Sequence, residues 1–329
     1  MLTVVVHKKI KVMQYVKNKD ILNILKTAEE YVFGQQEMLL SIVSAVVCEG
    51  HLLIEGMPGL GKTLSVSTIS KLMDLDFKRI QFTPDLLPSD LIGTQIYSQK
   101  KEEFETKFGP IFTQLLLADE INRSPAKVQS ALLESMAERQ VTIGESTYEL
   151  KKPFVVLATQ NPVDQEGTYQ LPEAQLDRFM VKCETEYPDE DSERSIVEAT
   201  NSGGQINESI WNLEKIAELR EAIEAVHVDK QLVDFIVKIV RSTRPNSTNF
   251  DKSNFGKYIQ FGASPRATIW LYKLSKFHAF CCDRDHIIPD DILYNVYPVL
   301  GHRVVLSYDA KIDEINVKNL LNDLANRNL

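Results

Sequence analysis

Cysteine is scarce in this chain of 329 residues, and the four present form no framework. Cys281 and Cys282 are adjacent, Cys48 and Cys183 stand alone, and no CxxC occurs, which excludes a disulfide scaffold and the common zinc spacings. The six histidines are dispersed, with no HExxH. Long apolar runs are also missing. The longest, roughly Met38 to Cys48, contains two serines and reaches half a membrane helix at most. The first residues have no signal-peptide shape, because Thr3–Val6 is too short for an apolar core and His7–Lys11 is polar and basic. A cytoplasmic protein without a membrane span is therefore expected. Basic side chains are outnumbered 37 to 46, and the net charge of −9 argues against a surface built mainly for nucleic-acid phosphates. A local basic patch stays open. Internal repeats and low-complexity tracts are absent.

What is present is ordinary globular material: 43% hydrophobic and 25% charged residues, over a length that suits two domains. Residues 1–19 read as a short extension with lysines at 8, 9, 11, 17 and 19, either a solvated or strand-forming terminus or a basic arm. From Ile21 the apolar spacing becomes helical, through Leu22, Leu25, Ala28, then Leu39, Ile42, Val43 and Val46. Four short apolar runs read as buried strands: His51–Glu55, Arg79–Phe82, Leu115–Ala118 and Pro153–Ala158. Helical stretches such as Thr63–Met73 and Ala126–Arg139 separate them, which implies an α/β core with a parallel sheet and helices on both faces. After about Pro188 the pattern is helical, over Ser192–Thr200, Glu214–Val226, Lys230–Ser242, Pro265–Cys281 and Asp290–Leu300. Asn201–Ser209 reads as a hinge or loop. The expected division is an extension over 1–19, a core over 20–188 and a helical domain over 189–329.

Gly56-Met57-Pro58-Gly59-Leu60-Gly61-Lys62-Thr63 fits GxxxxGK[ST], between a strand ending at Glu55 and a helix beginning near Gly61–Lys62. Glycines there let backbone N–H groups turn inward around a phosphate, and the helix N-terminus, through Leu64, adds positive partial charge. Lys62 is placed for the β- and γ-phosphates of ATP, and Thr63 for Mg²⁺. The alternative is a glycine turn with an exposed lysine. About sixty residues on, the apolar run Leu115–Ala118 ends in Asp119 and Glu120, at the sheet edge where ligands bind. Asp119 would hold the Mg²⁺ shell, and Glu120 would orient and deprotonate the attacking water. An acidic pair at a helix N-terminus is the bland alternative. Pro153–Ala158 exits through Thr159-Gln160-Asn161-Pro162. An amide there could hold the water or the γ-phosphate, yet by spacing alone Asn161 reads as a turn residue before proline.

Longer runs are more specific. Phe82–Asp90, Gly109–Phe112, Leu117–Arg123 and Gln129–Glu134 resemble MoxR-type AAA+ ATPases. So do Ala158–Pro162, Glu166–Tyr169, Leu171–Phe179, Thr243-Arg244-Pro245 and Gly262–Ala267. The resemblance spans about residues 20–310. It implies a P-loop core with strand order 5-1-4-3-2, a helical lid, nucleotide bound between them, and assembly as a ring, usually a hexamer. By resemblance Asn161 becomes the sensor-1 residue, Arg178 the arginine finger, and Arg266 the sensor-2 residue. An arginine's five donors suit a γ-phosphate in transfer. The alternatives are an internal pair of Arg178 with Asp177, Glu173 or Glu184, and a surface arginine at a helix start for Arg266. Gly34, in Val32-Phe33-Gly34-Gln35, resembles the segment lining the adenine pocket. Tyr97–Phe108 looks like the helix-2 insert hairpin that faces the ring's centre, with a polar tip at Gln99–Glu103. Arg123 and Glu134 receive no assigned chemistry.

The function this implies is Mg²⁺-dependent ATP hydrolysis coupled to remodelling or activation of a protein partner. Members of the family often act with a von Willebrand factor A-type protein, which here would be a separate chain. A nucleic-acid translocase, a chelatase-type motor subunit of the same clade, and a nucleotide-gated scaffold that binds ATP with negligible hydrolysis are the alternatives.

Overall fold

The structure is a computed structural model that describes residues 12–162, 169–199, 206, 208–245 and 256–328. Helices α1 (Val12–Tyr15), α2 (Lys19–Glu29) and α3 (Gln36–Val47) lead to strand β1 (Leu52–Glu55), followed by α4 (Lys62–Leu72) and β2 (Phe77–Gln81). Helix α5 (Pro88–Ile92) opens into a hairpin, Gly93–Ser98 with Glu103–Phe108, before β3 (Leu115–Asp119). Helix α6 (Ala126–Glu138) and a second hairpin, Gln140–Ile143 with Ser146–Glu149, precede β4 (Val155–Gln160). Then come α7 (Glu173–Leu176) and β5 (Val181–Glu184). Helices α8 (Glu190–Ala199), α9 (Leu213–Glu224), α10 (Lys230–Ser242), α11 (Pro265–Cys281), α12 (Pro289–Leu300), α13 (Tyr308–Ile312) and α14 (Val317–Asn328) make up the remainder, with a small ribbon of Ile259–Phe261 against Val305–Leu306.

The five strands form one parallel sheet in the order β2-β3-β4-β1-β5, the expected 5-1-4-3-2 read from the other edge. Side chains alternate between its faces, as strand geometry requires. Leu52, Ile54, Leu115, Leu117, Val155 and Leu157 enter one core, shared with α2–α4 and the C-terminal helices. Leu53, Leu116, Ala118, Val156 and Ala158 enter a second, beneath α5 and α6. The first core runs without a break into the lid, through residues such as Phe235, Leu271 and Val296. The lid helices start where their capping residues stand: Asn212, Asp229 and Ser264 each accept a backbone N–H from the first turn of α9, α10 and α11. Among the described residues, no helix is long and apolar enough to cross a membrane.

Some elements differ from expectation. The fourth strand starts at Val155 rather than Pro153, and proline has no N–H to give a ladder. The second strand is Phe77–Gln81, which leaves Phe82 as a core residue after it. The hairpin begins at Gly93, four residues earlier than read, and its tip is exposed as expected. The N-terminal segment, expected to be solvated or strand-forming, contains α1. Val12 and Val16 are buried, and the N–H groups of Lys17 and Asn18 donate to the Cys281 carbonyl. Residues 1–11, Glu166–Thr168, residues 246–255 and most of Asn201–Ser209 lie outside the described residues.

Candidate active site

The turn from β1 to α4 makes a cradle of backbone. Gly56 N–H donates to the Gln160 carbonyl, which fixes the loop's start to β4. Gly59 and Gly61 have φ of +84° and +75°, and a Cβ built on either would meet nothing within 4 Å. Glycine is needed there for backbone conformation, and the space in front stays open. Gly61 caps α4 without a side-chain bond, so the first-turn N–H groups face that space. Gly56 is glycine for another reason: a Cβ would lie 1.7 Å from Thr185 Oγ1. Lys62 folds back to donate to the Gly56 carbonyl at 2.6 Å. Burial lowers its pKa, against the opposing pull of Asp119, Glu120 and Glu55. The cradle lysine thus shares one electrostatic site with Asp119, Glu120 and Glu55. Met57, Leu60 and Thr63 are half-buried, Pro58 is exposed, and the Leu64 side chain is half exposed.

Asp119 is buried and held from both neighbouring strands. Arg79 of β2 donates to Oδ2 through Nη2 at 2.6 Å and Nε at 3.0 Å, and Thr159 of β4 donates to Oδ1 at 2.5 Å. The Thr159 hydroxyl also accepts the Glu120 N–H at 2.9 Å. Glu120 itself sits at φ +55°, a left-handed conformation uncommon for glutamate, which turns its side chain away from the strand direction. Arg123 Nη1 donates to Glu120 Oε2 at 2.8 Å. Asn161 follows β4, half-buried, and its carbonyl accepts from Asn122 Nδ2. The site therefore gathers Gly56–Thr63, Asp119, Glu120 and Asn161 at the carboxyl edge of β1, β3 and β4. An open backbone cradle, a lysine and a buried carboxylate at that edge are a donor set that fits a nucleotide polyphosphate with a divalent cation.

Arg178 makes no ion pair among the described residues. Its Nη1 donates to the Leu133 carbonyl of α6 at 2.6 Å. Asp177, the pairing candidate next to it, is taken instead by the lid: by Arg303, by the Ser264 hydroxyl at 2.8 Å and by Arg266 at 3.4 Å. Arg266 is half exposed on the first turn of α11, and its contact is with Asp177 rather than with the P-loop. Gly34 has φ +72°, with Pro188 Cβ and Ser192 Cβ within 3.0 Å of where a Cβ would stand. It lines a cleft of about 560 Å³ together with Phe33, Gln36, Tyr187 and Ser192. The P-loop does not line this cleft, but Glu184 does, and Glu184 is the register partner of Glu55, one residue before the cradle.

Arg79, Thr159 and the Arg123–Glu120 contact were not visible in the sequence as site features. Arg79 lies on the edge strand β2 beside the equally charged Lys78, so its residue type alone does not mark it. The structure also assembles a group that residue spacing did not suggest. Ligand atoms of His278, Cys282 and Asp291 lie within 4.8 Å of one another. The Asp291 oxygens, however, accept from His278 at 2.6 Å, from Arg284 at 2.5 and 2.7 Å, and from the Ile288 N–H at 2.7 Å. Both Asp291 oxygens are filled by donors and the carboxylate has no exposed surface, so the cluster is a closed, charge-balanced helix start rather than a metal site.

Comparison with known proteins agrees with the fold. Residues 51–181 match the model of the ATPase family associated with various cellular activities (AAA), and residues 252–324 match the AAA lid domain. The chain is 43% identical to Chaperone MoxR1 of Mycobacterium tuberculosis over 88% of its own length and 77% of that protein. It is 41% identical to the uncharacterised protein YeaC of Bacillus subtilis over 88% of each chain. A crystal structure of a Cytophaga hutchinsonii protein assigned as an ATPase superposes with a TM-score of 0.85 at 45% identity, covering 97% of this chain and 96% of the other.

Proposed function

Because the chain belongs to the MoxR family of AAA+ ATPases, we propose that it hydrolyses ATP at sites shared between identical subunits of a ring, usually a hexamer, and couples this to remodelling a protein partner. The observation that carries the reading is the open Gly56–Thr63 cradle beside the Asp119–Glu120 pair. The Thr63 hydroxyl and Asp119 would hold Mg²⁺, which when bound neutralises phosphate charge. The chain's own groups do the rest. Backbone N–H groups of the cradle orient the β-phosphate, and Lys62 exchanges the Gly56 carbonyl for phosphate oxygens. Glu120 leaves Arg123 and accepts the proton of the attacking water as its oxygen bonds to the γ-phosphorus. The bond to the bridging oxygen breaks, and ADP and inorganic phosphate leave. The Asn161 amide positions that water. Arg178 of an adjoining subunit and Arg266 of the lid balance charge on the transferring group. Gly34 and the cleft beside it take the base.

The name Chaperone MoxR1 supports a chaperone-like role, with a von Willebrand factor A-type protein as a candidate partner on a separate chain. Two substitutions test the chemistry. Lys62→Ala loses nucleotide affinity together with turnover. Glu120→Gln keeps its ATP Kd within about threefold while turnover drops by a factor of about 100 or more. Normal turnover by Glu120→Gln would remove Glu120 as the base.

A further inference from the structure

Arg303 is a lid residue three positions beyond α12, and it is only 5% exposed. Its guanidinium is committed to the segment that carries Arg178. Nε donates to Asp177 Oδ1 at 2.9 Å, and Nη2 donates to the Asp177 carbonyl at 3.0 Å and to the Phe179 carbonyl. Nη1 donates to the Met180 carbonyl at 3.2 Å and to the Val299 carbonyl of α12 at 2.5 Å. The carbonyls on both sides of Arg178 are therefore held by one planar fork from the lid. The Arg178 N–H donates to the Gln175 carbonyl at 3.2 Å, and its guanidinium is held on the Leu133 carbonyl. A lysine, with one charged point and no fork, cannot span these acceptors.

We propose that Arg303 is the positioning residue for Arg178, setting the backbone from which that arginine reaches an adjoining subunit's site. The inference rests on the reading of Arg178 as a shared group. It makes lid position in one subunit a determinant of hydrolysis in the next, because Arg303 moves with the lid while Arg178 serves another nucleotide. Asp177 completes the device: Ser264, which caps α11, and Arg266 in its first turn hold the same carboxylate.

The test uses mixed oligomers. Acceptor subunits carry Arg178→Ala and keep their own cradle; donor subunits carry Lys62→Ala and supply Arg178. The donor restores ATPase activity to the acceptor. Adding Arg303→Lys to the donor cuts that restoration about tenfold or more, whereas adding it to the acceptor changes it less than about twofold, since the acceptor's own Arg178 is already gone. The isosteric Asp177→Asn, placed in the donor, gives the same loss without removing the buried cation. Equal effects in donor and acceptor mark Arg303 as a general structural prop and overturn the proposal, as does full restoration by the Arg303→Lys donor. If the unmodified Lys62→Ala donor restores nothing, the shared-site reading fails first and takes this inference with it.

Discussion

Thr159 offers the sharpest test of how the carboxylates are held. Its side chain is buried at 1% exposure, and one hydroxyl serves two neighbours: it donates to Asp119 Oδ1 and accepts the Glu120 N–H. Thr159→Val keeps the shape and deletes both bonds. A bond to an ionised carboxylate contributes about 1.5–3 kcal/mol, and a stranded buried N–H costs about 1–3 kcal/mol. The expected loss of unfolding free energy is about 3 kcal/mol. Thr159→Ser keeps the hydroxyl and removes one methyl, for about 1 kcal/mol. If half of the larger loss is expressed in the placement of Asp119 and Glu120, single-turnover hydrolysis by Thr159→Val falls about tenfold. Urea unfolding followed by circular dichroism reads the first quantity, and phosphate release the second. Valine and serine variants that melt and turn over alike would refute the reasoning, because the hydroxyl would then hold nothing.

Two further predictions concern stability. His51 accepts the Val156 N–H at Nδ1, so its Nε2 carries the proton and donates to the Met136 carbonyl. Burial lowers its pKa to about 4 from 6.5. A base with a depressed folded pKa contributes stability that is complete above pH 6.5 and is lost as pH falls toward 4. Between pH 4.5 and 7.5 His51 accounts for about 2–3 kcal/mol of that change, and His51→Asn reduces the difference between unfolding curves at those two pH values by this amount. His302, buried and lowered in the same direction, leaves a residual slope. Gly56→Ala drives a Cβ onto Thr185 Oγ1, lowering stability by about 1–3 kcal/mol and weakening nucleotide binding. Thr185→Ala in the same chain recovers part of both, measured by thermal unfolding and nucleotide titration; no recovery places the clash elsewhere.

The parts of the site that were legible in the sequence are those whose residue types are dictated by local backbone. Gly59 and Gly61 have to adopt positive φ, Lys62 and Thr63 follow at fixed offsets, and Asp119–Glu120 ends a wholly apolar strand. The sheet core was legible for the same reason: β1, β3 and β4 are buried on both faces and read as unbroken apolar runs. β5 was not, because Val-Lys-Cys-Glu at a sheet edge buries only alternate residues over four positions. The second hairpin and α14 also went unread, each being short or strongly polar. What escaped entirely was long-range pairing. Asp177 stands next to Arg178 in sequence, yet its partner Arg303 is 126 residues away, and nothing local marks that arginine as more than a surface charge. Val12 and Val16 likewise are buried in a segment whose following N–H groups, of Lys17 and Asn18, bond to the distant Cys281 carbonyl.

The most direct test of the central claim is the steady-state release of phosphate from ATP, measured across a wide range of protein concentration with Mg²⁺ and again with EDTA. A specific activity that rises with protein concentration and vanishes in EDTA is the result predicted for metal-dependent hydrolysis at sites built by two subunits. Phosphate release undiminished by EDTA, or none at any concentration while ATP is bound, would contradict it.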